Sequence, residues 1–563
     1  MRRTILFIIL AIFLFQANFA ENRIYVKCPE GTANNSLADA LMQAASFQGK
    51  PVTIQLEPGV YSFKRSLSTQ KVFHVSNTTS ESENPECIKH IAVWMNGLKN
   101  VTIDGAGATW LMTGEMTTFI AQACQNITLK NLNIDYQFPT QTEMTVLEDG
   151  KDYIITQVHP TSQYQIIDGK LTWYGDGWSF NKGIAQWYDP LKDITWREWS
   201  PMSGLSKTIE LRHNLLYMQY TKKKPQVPIG TVFQMRDGLR DEVCGCFDHC
   251  KNIRLENVNF WYLGNFGIVV QYTDGFSVER CRFMPKPGSG RTNAGFADFI
   301  QISGCKGTVS IYNSEFAGAH DDPINIHGTH LKVVSYLNDR TIRVRFMHGQ
   351  TFGLQAFHPK DEIELINAQT LQSLQSAQVV KVNMINEREF ELTLNRPITS
   401  KIKELKDIAV ENITWTPEVH IAGNTFRRSP TRGILVTTRR PVVIENNLFY
   451  GMQMSAILVA DEAMSWYESG PVHNLIIRRN TFLQCNSPMI LIYPEYHQYL
   501  TPVHKNIRIE ENIFESDNPS VKAIQARGVD GLTIQNNHFK MAGKDLIQIE
   551  ECEHIIVNED SYK

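Results

Sequence analysis

One short phrase recurs along the chain and restricts its possible folds more than any other feature. Alternating apolar and polar residues usually end in Asn-x-x-aromatic. The phrase reads "NVTIDGAGATW" from Asn100, "NITLKNLNIDY" from Asn126 and "NIRLENVNFWY" from Asn252. It returns as "GTVSIYNSEF" from Gly307, "PVVIENNLF" from Pro441, "NLIIRRNTF" from Asn474, "NIRIEENIF" from Asn506 and "GLTIQNNHF" from Gly531. Spacings within unbroken stretches are about 22–33 residues. Each copy holds a period-2 strand and a polar turn, too little to bury its own apolar side, so copies must stack into a continuous core. A helical solenoid would show a 3.6-residue period and a leucine-rich repeat Leu-dominated spacing; neither occurs. The expected fold is all-β: a right-handed parallel β-helix with two β-rich, barrel-like insertions.

The rest of the chain divides around these coils. Residues 1–20 pair a basic start (Arg2, Arg3) with an apolar run from Ile5 to Phe15. That run is shorter than the ~20 residues that span a bilayer, which predicts a cleaved secretory signal and an exported protein, periplasmic or extracellular, with no membrane span afterwards. Residues 21–136 read as an N-terminal cap, with an amphipathic helix in "NNSLADALMQAASFQGK", and the first coils. Insertions are expected at 137–245 and 331–415, further coils at 246–330 and 416–563. Charge is nearly balanced, 55 Lys and Arg against 58 Asp and Glu, which argues against a nucleic-acid partner. The "CGCFDHC" cluster (Cys244, Cys246, Cys250), spaced C-x-C-x3-C, has no matching second half, so buried or disulfide-bonded cysteines are expected rather than a metal site.

The stretch "GAHDDPINIHGTH" (318–330) carries two adjacent aspartates. Aligning the apolar pairs of "FGIVVQ" (266–271), "DFIQIS" (298–303), "DPINIH" (322–327), "RGILVT" (432–437) and "SAILVA" (455–460) puts Asp298 and Asp322 at one position on successive coils. Adjacent strands lie about 4.8 Å apart, so the two carboxylates should be neighbours, with Asp321 beside them. Like charges stacked in a sheet destabilise it, and crowding raises at least one pKa, as an acid–base site requires. Solvated acids at a coil edge, or a structural calcium, are the bland alternatives; Asp298 in register counts against them. Glycoside hydrolysis needs one protonated carboxyl and one carboxylate to deliver water or attack. Arg432 shares the aspartates' rung and could bind sugar hydroxyls; His327 ends the same strand as the pair. Asp461, Glu462 and Trp466, in "ADEAMSWYESG", form a loop after a coil on this face, where Trp466 could stack on a sugar. These five are the candidate substrate-binding residues, and no metal or cofactor is expected.

With "GFADFIQISG" (295–304) and "AHDDPINIHG" (319–328) in place on such a fold, the chain resembles glycoside hydrolase family 110 over essentially all its mature length. The resemblance implies exported bacterial α-1,3-galactosidases that remove terminal α-1,3-linked galactose from oligosaccharides or glycoconjugates, as in blood-group B or linear Galα1-3Gal, by inversion and without a metal. It further implies catalytic aspartates at Asp298, Asp321 and Asp322, with Asp321 taken as the acid and Asp298 with Asp322 as the base; a homodimer is compatible with it. Two other readings stand beside it. A polygalacturonase-like hydrolase would carry Asn-Thr-Asp, Gly-His-Gly and Arg-Ile-Lys, none of which occurs. A non-catalytic glycan-binding β-helix would explain repeats and aromatics but not carboxylates gathered in one register.

Overall fold

The alternating phrases form stacked coils. The computed structural model describes residues 22–486 and 488–558 and the backbone of 561–562, so the expected signal at 1–20 lies outside the described residues. Helix α1 (Asn34–Ser46) caps the first coil. Its buried Leu37, Ala40, Leu41 and Ala44 follow the spacing of one helical face and pack on the first strands. No described helix is long and apolar enough to cross a membrane.

Parallel pairing then repeats coil by coil. The strands that carry the site are β1 (Phe266–Gln271), β2 (Ile300–Ser303), β3 (Ile324–Tyr336), β4 (Ile434–Val436) and β5 (Ile457–Val459). They pair in that order, with Ile268, Ile300, Ile324, Ile434 and Ile457 on one rung. Inside the coils, identical side chains stack in columns. Phe283, Phe316, Phe426, Phe449, Phe482 and Phe514 lie 4.7–5.0 Å apart in sequence with their rings within 10° of parallel, each pair contributing about 0.5–1.5 kcal/mol beyond burial. The asparagines of the turns form a second column. Asn424, Asn447, Asn480, Asn512 and Asn537 are buried, and the side-chain amide of each of the first four donates to the next side-chain oxygen at 3.0–3.1 Å. Each also donates to an interior carbonyl, so the turn's buried polar groups are satisfied. The fold is therefore a right-handed parallel β-helix.

Two antiparallel units leave the coils. Between Thr142 and Arg236 a seven-stranded sheet, with a small three-stranded one, closes over Trp173, Trp187, Met218 and Phe233. The second unit is a barrel. Strand β3 starts as a coil strand and runs on to Tyr336, pairing antiparallel with Thr341–Arg345 and Ile408–Asn412. Glu389–Leu394, Gln372–Met384 and Glu362–Asn367 complete the circuit. Ile342, Val344, Ile363, Phe390, Leu392 and Val410 fill its interior. One strand thus belongs to both helix and barrel, which couples the two rigidly. All ten cysteines are free thiols; Cys244, Cys246 and Cys250 are buried, and the Cys250 thiol donates to the Ala121 carbonyl at 3.2 Å.

Candidate active site

The rung two residues before the paired isoleucines reads Phe266, Asp298, Asp322, Arg432, Ser455. Asp322 therefore sits between an acid on one coil and a base on the next. The Arg432 guanidinium meets its Oδ2 at 2.9 Å, and the Arg432 backbone N–H donates to Oδ1 at 3.2 Å. Asp322 is 2 % exposed and Asp298 6 %. Asp298 has no side-chain hydrogen-bond partner among the described residues. Burial, then the charges of Asp321 and Asp322, push its carboxyl well above the usual range. Asp321 leaves in another direction and keeps 26 % of its side chain exposed, with Oδ1 3.2 Å from Arg197. Burial and Asp322 raise its carboxyl too, while Arg197, Arg240 and Arg236 oppose the rise.

These groups open onto a pocket of about 310 Å³. Its floor is the outward face of the coil strands. Asn325, Leu435 and Leu458 stand on one rung there, because alternation sends Ile324 and Ile326 inward. A wall is the loop from Glu462 to Glu468, pinned by the antiparallel pairing of Glu468–Ser469 with Gly328–Thr329 of β3. Glycine is required at 328, since a Cβ there would lie 2.4 Å from Ser469 Oγ. Glu462 shapes this loop: Oε2 accepts the N–H groups of Met464 (3.0 Å) and Ser465 (2.7 Å), and Oε1 accepts that of Glu468 (3.1 Å).

Of the residues singled out in the sequence, Asp298, Asp321, Asp322, Arg432, Glu462 and Trp466 all line this pocket. His327 and Asp461 do not, which corrects the expectation that they touch substrate. His327 is 3 % exposed, its Nδ1 on the Gly328 carbonyl (2.6 Å) and its Nε2 on Gln301 (3.0 Å). Alternation puts His327 on the outward face with Asn325, but Gln301 and the overlying Glu468, whose Oε1 lies 3.5 Å from its Nε2, cover it. Asp461 is 1 % exposed beneath the loop, with both oxygens unpartnered, and burial pushes its carboxyl well up. Likewise His320 is fully buried against Gln234 (3.0 Å), and His330 holds the Glu462 carbonyl (2.8 Å). Sequence reasoning missed Asn77, Arg197, Arg240, Asn325 and Glu495, which also line the pocket. Only Asn325 had a signal, the polar position alternating with isoleucines in "DPINIH".

Buried carboxylates crowded on a rigid β-helix face, with arginines on two of them and a small pocket over all three, make an acid–base site of the kind used by glycoside hydrolases. Comparison with known proteins refines this class. The model for a GLAA-B β-barrel domain II matches residues 341–408, and that for a right-handed β-helix region matches 408–561. An α-1,3-galactosidase A of Bacteroides thetaiotaomicron is 54 % identical over 97 % of this chain and 98 % of its own. One from Akkermansia muciniphila is 36 % identical, covering 90 % and 84 %. An α-1,3-galactosidase B of Bacteroides thetaiotaomicron is 30 % identical, covering 90 % and 85 %. The chain belongs to glycoside hydrolase family 110.

Proposed function

We propose that this protein is an exported, exo-acting α-1,3-galactosidase that releases terminal galactose from blood-group B and linear Galα1-3Gal glycans with inversion. The observation that carries the reading is the convergence of Asp298, Asp321 and Asp322 on one pocket, in a chain whose relatives bear that activity's name. A pocket of about 310 Å³, rather than a long open groove, suits removal of one end sugar.

The charges suggest a division of labour. Asp321 is the acid: it faces the pocket, and its raised carboxyl holds a proton closer to neutrality than a free aspartate would. Asp322 opposes Arg197 in setting that value, so the donor is poised rather than locked. Asp298 and Asp322, about 4.8 Å apart by strand spacing, can share one water between them. Asp322, paired with the Arg432 guanidinium, supplies the carboxylate that takes the water's proton, and Asp298 beside it helps to hold that water. The leaving sugar oxygen then takes its proton from Asp321 as water attacks the anomeric carbon from the opposite face. The test is galactose release from the branched trisaccharide and from linear Galα1-3Gal, followed by proton NMR with EDTA present. β-Galactose appearing first supports inversion without a metal; α-galactose first refutes inversion; no release from either glycan refutes the activity.

A further inference from the structure

We infer that the barrel loop 346–352 is a positioning element of the pocket, in which His348 holds the Trp466 ring as a platform for a sugar of the substrate. The inference rests on the activity proposed above and extends the site to the second insertion. Three pocket-lining side chains from three separate segments each touch one residue of this loop. The His348 imidazole stacks on the Trp466 indole, ring centres 4.5 Å apart and planes 29° off parallel. The Gln350 Oε1 accepts from Arg240 Nη2 at 3.2 Å. Thr351 Oγ1 donates to Asn77 Oδ1 at 2.6 Å.

The loop is itself held firmly. The Arg388 guanidinium donates to the carbonyls of His348 (3.1 Å) and Gly349 (2.9 Å), lies 4.7 Å from the Phe352 ring centre, and pairs with Glu81. Trp466 is 44 % exposed. With one face backed by His348, the indole keeps its other face for the C–H face of a pyranose, and its rotamer freedom is already spent. Burial and Arg240 hold His348 below the usual histidine range, so the backing ring is neutral near pH 7 and adds no charge beside Arg240. None of the three loop residues reaches the aspartates, so the loop should govern substrate affinity and leave the chemical step alone.

The experiment measures kcat and KM for Galα1-3Gal hydrolysis in the wild type, His348→Ala and His348→Phe. The Ala variant is expected to raise KM about tenfold with kcat within about twofold, and the Phe variant, which restores an aromatic backing, to return KM to within about threefold of wild type. Should the Ala variant not fold, His348→Gln takes its place. Unchanged KM in the Ala or Gln variant, a fall in kcat alone, or a Phe variant as impaired as Ala would each overturn the inference. Wild-type turnover with KM unmoved by the substitutions sinks the loop's role and leaves the activity standing; absence of wild-type turnover sinks both.

Discussion

Replacing Asp298 by Asn should cost activity and gain stability, and the size of the gain follows from the rung. Asp298 is 6 % exposed, lacks a side-chain partner among the described residues and faces two further carboxyls. Ionising it about 4.8 Å from Asp322 costs about 3.5 kcal/mol at an effective dielectric of about 20. Keeping its proton instead has a cost set by the unfolded chain, where an aspartate with a pKa of 3.8 is ionised at pH 7. At 1.36 kcal/mol per pH unit that is about 4 kcal/mol. Either route leaves the folded wild type roughly 3–4 kcal/mol short at pH 7 of what an uncharged isostere would have. Because the folded value is raised, the folded state keeps a proton that the unfolded chain loses as pH climbs. Wild-type stability therefore falls from about pH 4 upward, and the advantage of Asn grows by about 1.4 kcal/mol per unit until the folded value is reached. For 563 residues the unfolding entropy is about 1.2 kcal/mol per kelvin, so calorimetry should show a Tm gain of about 3 °C at pH 7 and about 1.5 °C at pH 5. Galactose release should fall by at least about a thousandfold in the same protein. An Asn variant that melts at or below the wild-type temperature, or gains the same amount at both pH values, would refute the reasoning.

Two further substitutions probe other parts of the same scaffold. Arg432→Ala leaves Asp322 buried without its cation and should lower kcat/KM by about a hundredfold or more, while Arg432→Lys recovers part of the loss; steady-state kinetics beside circular dichroism checks this. Asn480→Ala removes the acceptor of the Asn447 N–H and the donor to the Ile444 carbonyl, and should destabilise by about 3–5 kcal/mol, read as a Tm lowered by about 3–4 °C with kcat unchanged.

The coils were legible because their signal is local and repeated. A period-2 strand can bury only one face, so aligning apolar pairs over five phrases fixes the register, and the register alone brings Asp298, Asp322 and Arg432 to one rung. Trp466 and Glu462 were legible as a loop following a coil of that face, though the part Glu462 plays, with its oxygens on three backbone N–H groups, was not. Arg197 and Arg240 had no signal at all. They reach the pocket from the first insertion and the segment after it, and no spacing within the chain encodes where an insertion folds back. The same limit hid the loop 346–352. His327 and Asp461 failed for a different reason: sequence places a residue beside a site, but whether its side chain faces the pocket or the packing behind it depends on neighbours several coils away.

The columns of stacked phenylalanine and asparagine mean that each coil leans mainly on the one before and the one after. Such a stack should open like a zipper, fraying from an end inward. The coils that carry the aspartates are exempt from this, because they have lateral fastenings as well. Arg439, just past β4, reaches sideways to Glu411 and Glu364 of the barrel, and β3 runs unbroken from the aspartates into the barrel wall. The coil at 496–503 is fastened too, by Gln369 and Gln372 and by packing on Ile366 and Ala409, but among the described residues beyond Val503 no hydrogen bond or ion pair reaches the barrel's strands. Heat, denaturant or a protease should therefore peel the molecule from its C-terminal end while the rung of Asp298 and Asp322 is still closed. The geometry of three crowded acids would then be among the last things the protein loses.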